Sequence, residues 1–159
     1  MNHHTIVVLN NLRSVHNVGS IFRTAEAAGV SQIFLVGTTP TPIDRFGRKR
    51  RDLAKVALGA EDMVAWEYRE TLTEVVRELR EQGVTIVAVE QSPTSVSYRA
   101  YTPDDACALV FGNEPEGLAP EDIALCDAVI EIPMFGKKES LNVSVTAGII
   151  LYRFAESQE

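Results

Sequence analysis

Short apolar runs alternate with stretches of helical spacing along the chain. The apolar runs are rich in β-branched residues, which is typical of strands buried on both faces of a sheet. Turn-forming residues bound most of them. They predict six strands, at residues 5–9, 32–36, 63–68, 85–89, 106–111 and 128–132.

The segments between these strands carry helix signals. Residues 71–82 show them most clearly, because their apolar side chains fall on one helical stripe and Gly83 follows as a stop. Since strands and helices alternate, the sequence predicts one α/β domain over residues 1–159, with a parallel sheet covered on both faces. The predicted helices are residues 20–28, 52–58, 71–82, 122–126 and 142–155.

Composition narrows the class of protein. Hydrophobic residues make up 45% of the chain, enough for a core, and no apolar run approaches the roughly 20 residues that cross a bilayer. The first residues lack the pattern of a secretory signal. Cys107 and Cys126 form no CxxC pair, and the three histidines complete no plausible zinc set with them. We therefore expect a cytoplasmic protein with reduced cysteines, no membrane association and no metal.

The positive charges are unevenly placed. A net charge of −7 argues against nucleic-acid binding, yet six of the fifteen Lys and Arg residues fall between positions 45 and 55. Two interpretations stay open, a solvated surface loop and a contact for a polyanion. The six residues are Arg45, Arg48, Lys49, Arg50, Arg51 and Lys55.

Three polar, glycine-bearing loops follow predicted strands, at residues 10–19, 112–121 and 133–144. In a parallel sheet they lie at the carboxyl edge, where ligands normally bind. No GxGxxG or GxxxxGK[ST] motif is present, which disfavours ordinary dinucleotide enzymes and P-loop ATPases. The polar residues in these segments suit a reaction in which a cofactor carries the activated bond and the protein orients it. They are Asn17, Arg23, Asn113, Glu114, Ser140 and Asn142.

Each of these residues also has a purely structural interpretation. Asn142 sits where a side chain caps the last predicted helix, and Glu114 follows a strand in what could be an ordinary turn. Arg23 could be a surface arginine whose stem packs on the domain, or its guanidinium could bind phosphate or carboxylate. The residues taken one by one leave these alternatives open.

Three segments together resemble the SpoU (TrmH-type) RNA ribose methyltransferases of the SPOUT class. They are NLRSVHNVGSIFRTAEAAGV at residues 11–30, LVFGNEPEGL at 109–118 and IEIPMFGKKESLNVSVTAGIILY at 130–152. Each segment alone is moderately specific. Their order and separation also match, so the resemblance covers essentially the whole chain.

The resemblance implies an α/β knot with a deep C-terminal trefoil, S-adenosylmethionine as cofactor, and a homodimer. It implies that Arg23 holds a phosphate and stabilises negative charge on the ribose oxygen, and that Asn17 orients Arg23 or the adjoining loop. Glu114, Ser140 and Asn142 would complete the polar site. The implied cofactor contacts are Phe111, Gly112, Asn113, Ile132, Met134 and Leu141. The last helix fits a dimer because it is apolar on a broad surface that includes Val145, Ala147, Ile149, Ile150, Leu151 and Phe154.

The implied activity is methylation of a ribose 2′-hydroxyl in tRNA or rRNA. The chain has almost nothing before its first strand or after its last helix, so we expect no appended RNA-binding domain. The basic residues at 45–55 are then the candidates for RNA contact. Two alternatives remain: a non-catalytic RNA-binding or assembly protein of the same fold, and a SPOUT enzyme that methylates a base nitrogen.

Overall fold

Seven parallel strands form one sheet in the computed structural model, which describes residues 4–159. Their order across the sheet is β3-β2-β1-β6-β4-β7-β5. The strands β1, β6 and β4 occupy the middle, and their side chains are buried on both faces. The strands are β1 His4–Asn10, β2 Gln32–Val36, β3 Ala65–Arg69, β4 Thr85–Val89, β5 Val96–Ser97, β6 Ala106–Phe111 and β7 Ala128–Glu131.

Helices cover both faces of this sheet. Alternate residues of β1 point to opposite faces, as strand geometry requires. Val7 and Leu9 pack with α1, α2 and α5, whereas Ile6 and Val8 pack with α3 and α4. The helices are α1 Val15–Ala27, α2 Arg51–Ala57, α3 Leu72–Glu81, α4 Pro120–Ala124 and α5 Val143–Glu156, with a short 3-10 helix at Ala60–Asp62. The predicted two-sided parallel sheet is confirmed.

The main differences from the sequence-based prediction concern β5 and α1. The strand β5 has only two residues and pairs with β7 alone, too short to leave a pattern. The helix α1 begins at Val15, not at residue 20, because the Ser14 hydroxyl accepts a hydrogen bond from the Asn17 N–H at 3.1 Å. Residues 15–19 were therefore wrongly predicted as loop. As a result, Asn17 lies in the first turn of a helix.

Both cysteines are free thiols, as predicted. Cys107 is buried and Cys126 is half-buried. Burial raises the pKa of Cys107 to about 11 and that of Cys126 to about 12, so both are protonated at neutral pH. Within residues 4–159, no helix is long and apolar enough to cross a membrane, and no group of His, Cys, Asp or Glu side chains is placed to hold a metal ion.

Candidate active site

The three glycine-bearing loops meet at the carboxyl edge of the sheet. They follow β1, β6 and β7, and Asn17, in the helix turn that ends the first loop, is hydrogen-bonded to side chains of the other two. Asn17 is central because it is only 6% exposed. Its Nδ2 donates to Glu114 Oε1 at 3.0 Å, and its Oδ1 accepts from Asn142 Nδ2 at 3.3 Å. Asn17 thus joins two residues that lie 97 and 125 positions away from it along the chain.

Asn142 caps the helix α5 and also contacts Asn17 in the site. Its Oδ1 accepts a hydrogen bond from the Ser144 N–H at 2.8 Å, which caps α5, while its Nδ2 reaches Asn17. The cap fixes the rotamer of Asn142, so the helix end orients the amide at the site. The cap predicted for this residue is therefore confirmed, and its role in binding a ligand stays a prediction.

Glu114 is held as a carboxylate. Burial alone would raise its pKa, but the hydrogen bond from Asn17, helped by backbone N–H groups including those of Arg13 and Ser14, outweighs burial and lowers the pKa below its ordinary value. The two backbone groups lie 3.4 Å from its oxygens. They come directly before α1, whose helix dipole also favours a negative charge at this end. Glu114 is consequently ionised at neutral pH.

A cavity of about 430 Å³ opens beside this network. Glu114, Ser140 and Asn142 line it, and so do all six residues expected to contact a cofactor: Phe111, Gly112, Asn113, Ile132, Met134 and Leu141. The lining has no Lys or Arg but has five carboxylates, from Glu90, Glu114, Glu116, Glu131 and Glu139. The electrostatic character of the cavity therefore favours a cationic ligand.

The loop after β6 folds tightly back on itself. The Gly117 N–H donates to the Asn113 carbonyl at 2.9 Å, and Asn113 Oδ1 accepts from the Glu116 N–H at 3.0 Å. A Cβ on Gly112 would lie 2.4 Å from the carbonyl carbon of Gly117. Only glycine fits at position 112, so backbone atoms rather than a side chain form this wall of the cavity.

The loop after β4 belongs to the site, and the sequence-based search missed it. Glu90 Oε2 accepts a hydrogen bond from the Leu118 N–H at 2.9 Å, and Gln91 Nε2 donates to the Glu139 carbonyl at 2.8 Å. Two consecutive residues thus hold two of the cavity loops. Their signal was a polar pair directly after an apolar strand, without the glycine that marked the other loops.

Comparison with known proteins identifies the architecture. Residues 4–152 match the model of the SpoU rRNA Methylase family. The chain belongs to this family. It is 36% identical over 92% of its length to the 23S rRNA (guanosine-2′-O-)-methyltransferase RlmB of Neisseria meningitidis, and 34% identical over 92% to the tRNA (guanosine(18)-2′-O)-methyltransferase of Escherichia coli. It spans 56% and 60% of the length of these relatives.

A solved structure of an rRNA methyltransferase has the same fold. The AdoMet-bound rRNA methyltransferase from Sinorhizobium meliloti superimposes with a TM-score of 0.88 and 31% sequence identity. The superposition covers 98% of this chain and 57% of that one. The family and the parallel α/β fold implied by the three sequence segments are thus confirmed.

Arg23 lies apart from the cavity in this SpoU chain. It is exposed on α1 and lines a second, open groove of about 900 Å³ together with His16, Lys55 and Tyr152. It makes no hydrogen bond or ion pair within residues 4–159, and the side chain of Asn17 is hydrogen-bonded to other residues. The contacts of Asn17 with Glu114 and Asn142 agree with the other expected role, the ordering of the adjoining loops.

The six cations of residues 45–55, the basic segment of the SpoU chain, fall into two groups. Within residues 4–159, three form ion pairs with carboxylates and three do not. Lys49 Nζ lies 3.3 Å from Glu61 and 3.0 Å from Asp62, and Arg50 pairs with Asp52 at 3.0 Å. Arg48 pairs with Asp44 at 3.2 Å, although 71% of its side chain is exposed. Among the described residues, no carboxylate pairs with the remaining three, which are Arg45, Arg51 and Lys55.

Proposed function

We propose that this chain transfers a methyl group from S-adenosylmethionine to a ribose 2′-hydroxyl of tRNA or rRNA. The observation that carries the proposal is the acid-lined cavity. Residues of the second and third SpoU segments line it, and the first segment joins them through the Asn17–Glu114–Asn142 network beside it. The named relatives methylate a guanosine 2′-oxygen in 23S rRNA or tRNA. We propose a cytoplasmic location, where such RNAs are processed.

The residues of the cavity fit S-adenosylmethionine. The cofactor carries a positive sulfonium and an ammonium group, and the lining offers carboxylates without a competing cation. A volume of about 430 Å³ lies within the usual range for small-molecule sites. The cofactor would be held by backbone groups and by apolar side chains. The backbone groups are those of Gly112 and Asn113, and the side chains are Phe111, Ile132, Met134 and Leu141. When bound, it supplies a methyl group that is already activated for transfer.

The polar residues at the cavity position the reactants. Glu114 uses its oxygens to accept hydrogen bonds from α1, which locks the loop after β6 against the start of that helix. Ser140 and Asn142 line the cavity and offer a hydroxyl and an amide to the ribose. Catalysis of this kind depends on orientation, because the leaving group needs no help from an acid.

Arg23 has the chemistry of an anion ligand. Its guanidinium remains protonated, so it cannot act as a simple base. It is exposed and unpaired within residues 4–159, and therefore free to bind a phosphate of the RNA. From there it would stabilise the negative charge that develops on the 2′-oxygen as its proton leaves to another group or to the RNA.

A homodimer would bring Arg23 to a cavity. An apolar stripe runs from Leu141, at the cavity just before α5, through the exposed Val145 and the half-buried Ile149 of this helix to the exposed Tyr152, at the Arg23 groove. Two copies that meet along this stripe with two-fold symmetry would place the groove of one against the cavity of the other. The stripe is narrower than the sequence suggested, because Ala147, Ile150, Leu151 and Phe154 are buried within their own chain.

We also propose the trefoil knot that the family resemblance implies. After β7, which lies towards one end of the sheet, the chain returns to pack α5 against α1 and β1. On this path residues 132–142 contact both the loop after β4 and the start of α1. Threading through an earlier loop would account for this close association.

Methyl transfer is tested by incubating the chain with labelled S-adenosylmethionine and separated tRNA and rRNA pools. Mass spectrometry of the nucleosides then locates the methyl group. Arg23→Ala should abolish transfer and leave cofactor affinity unchanged by calorimetry, because Arg23 is proposed to bind a phosphate of the RNA and not the cofactor. Arg77→Ala, which removes an exposed arginine from α3, is the control and should leave both unchanged.

Three outcomes would contradict parts of this proposal. Full activity of Arg23→Ala would remove the role of Arg23. A methyl group on a base nitrogen would contradict the ribose as acceptor. No binding of S-adenosylmethionine by the parent chain would favour the non-catalytic RNA-binding protein.

A further inference from the structure

Phe46 is an exposed aromatic ring at the tip of the basic segment. Its exposed fraction is 66%, and it belongs to neither core cluster. The guanidinium carbon of Arg45 lies 4.8 Å from the ring centroid, and that of Arg48 lies 5.0 Å from it. A phenylalanine placed this way adds little to folding, because its apolar surface largely stays in water.

The turn that presents this ring is held in one conformation. The carboxylate of Asp44 accepts the N–H of Phe46 at 2.8 Å, the N–H of Arg48 at 2.9 Å and the Arg48 Nε–H at 3.2 Å. These hydrogen bonds lower the pKa of Asp44, and the one from the Arg48 N–H has the largest effect. Gly47 supplies a φ of +78°, which other residues adopt only with strain.

The base of the turn is also fixed to the domain. Ile43 and Lys49 form an antiparallel bridge, and the Arg50 N–H donates to the Pro42 carbonyl at 2.9 Å. Lys49 in turn reaches Glu61, whose side chain is only 2% exposed. The ring therefore projects from an ordered support, so little further ordering is needed when a ligand binds.

We propose that Phe46 is a stacking platform for one unpaired RNA base, with Arg45 and Arg48 positioned for the phosphates on either side of that base. This inference rests on RNA as the proposed substrate. Proteins hold single-stranded RNA by combining aromatic rings for bases with cations for the backbone, and this turn offers both in one place. An RNA strand also complements the charge here, since the acidic chain concentrates its cations in this segment.

A path of cations connects the platform with the Arg23 groove. Arg51 and Lys55 lie four residues apart on α2, so they share one face of that helix. Lys55 lines the same groove as Arg23. An RNA strand that stacks on Phe46 would follow these side chains towards Arg23. The platform thus holds a nucleotide away from the one that is methylated.

Binding of a fluorescein-labelled oligouridylate tests the platform, with a duplex RNA as the second probe. Phe46→Ala and Phe46→Leu should both raise the Kd for the oligouridylate by about fivefold or more, whereas Phe46→Trp should keep or lower it, because stacking needs a ring. The duplex should bind all three variants within about twofold of the parent. Met63→Ala, which removes an apolar side chain that is 68% exposed elsewhere, is the matched control.

The salt dependence separates stacking from charge. Phe46→Ala should leave the slope of log Kd against log salt unchanged, whereas replacement of both Arg45 and Arg48 by Ala should reduce it. Phe46→Leu with parental affinity, equal losses for oligouridylate and duplex, or no oligouridylate binding by the parent would each overturn the platform. Phe46-dependent binding without any methyl transfer would instead leave the platform standing and contradict the proposed enzyme.

Discussion

The cavity and the basic segment are each stabilised by a different kind of contact. At the cavity, the hydrogen bonds of Asn17 join residues 97 and 125 positions apart. In the basic segment, the ion pairs of Arg48 and Arg50 reach only four and two residues along the chain, and that of Lys49 reaches thirteen. The cavity therefore exists only when the whole sheet has formed, whereas the turn around Phe46 is set largely by its own sequence.

The difference also concerns which atoms do the binding. Backbone at Gly112 and mutually bonded side chains form the cavity, so few of its groups act independently. The basic segment presents separate side chains, some anchored by acids and some free. Substitutions at the cavity should thus have large, coupled effects, and those in the basic segment should have small, nearly additive ones.

The largest effect is expected for Gly112→Ala. The added Cβ would meet the backbone of Gly117 at 2.4 Å, and neither strand β6 nor the tight loop can move away easily. We expect cofactor affinity to fall by about 100-fold, equivalent to about 2.7 kcal/mol, as measured by calorimetry. Gly136→Ala is the matched control, because its Cβ would meet nothing within 4 Å. Equal losses in both variants would contradict a specific role of the Gly112 contact.

A smaller effect at the cavity is expected for Glu90→Gln. The two carboxylate oxygens accept hydrogen bonds from the N–H groups of Leu118 and Gln91. In the glutamine variant an NH₂ group would replace one of these oxygens, so one of the two backbone donors would lose its acceptor. One unsatisfied donor costs about 1–3 kcal/mol, and we expect cofactor affinity to fall about tenfold. Glu121→Gln, which changes an exposed carboxylate on α4, should bind the cofactor normally. Normal affinity in Glu90→Gln would show that the loop is ordered without it.

Much of the fold was predictable because its signals are local. Buried strands such as β4 and β6 leave apolar runs, and the helix α3 leaves a stripe of apolar side chains. The boundary of α1 was missed because Ser14 caps it ahead of a first turn in which His16 and Asn17 give the polar character of a loop. The two-residue strand β5 depends on its pairing with β7, and no local pattern reveals such a strand.

The site was predictable only as far as the segments that carry the family resemblance. All six cofactor residues named from them line one cavity. Contacts between distant residues left no pattern, so the roles of Glu90 and Gln91 and the separation of Arg23 from the cavity required the structure. Likewise, the six cations of the basic segment are equivalent in the sequence, and only their ion pairs divide them.

That division predicts opposite effects for two neighbouring cations. Lys49→Ala should lower the Tm, because the buried carboxylate of Glu61 loses its partner, and it should change RNA affinity little. Arg51→Ala should leave the Tm unchanged and raise the Kd for unfractionated tRNA about two- to fivefold. It should also reduce the slope of log Kd against log salt by about one unit. Thermal unfolding and fluorescence titration measure the two effects. Similar behaviour of both variants would mean that the ion pairs do not separate anchors from RNA contacts.

The smallest effect concerns the pH dependence of stability at Glu114. Because its folded-state pKa lies below the ordinary value, the carboxylate stabilises the fold above that ordinary value, and the contribution is lost as pH falls through the folded-state pKa. Glu114→Gln resembles the protonated form. The parent should therefore be more stable than this variant at pH 7, by about 0.3–1 kcal/mol for a carboxylate at a helix start, and the gap should close in acid. Urea unfolding across pH measures it. Glu116→Gln is the control, because Glu116 lies in the same loop and its carboxylate accepts no hydrogen bond within residues 4–159, so this variant should be nearly as stable as the parent at pH 7. A gap for Glu114→Gln that persists in acid would show that the side chain orders the loop by shape and not by charge.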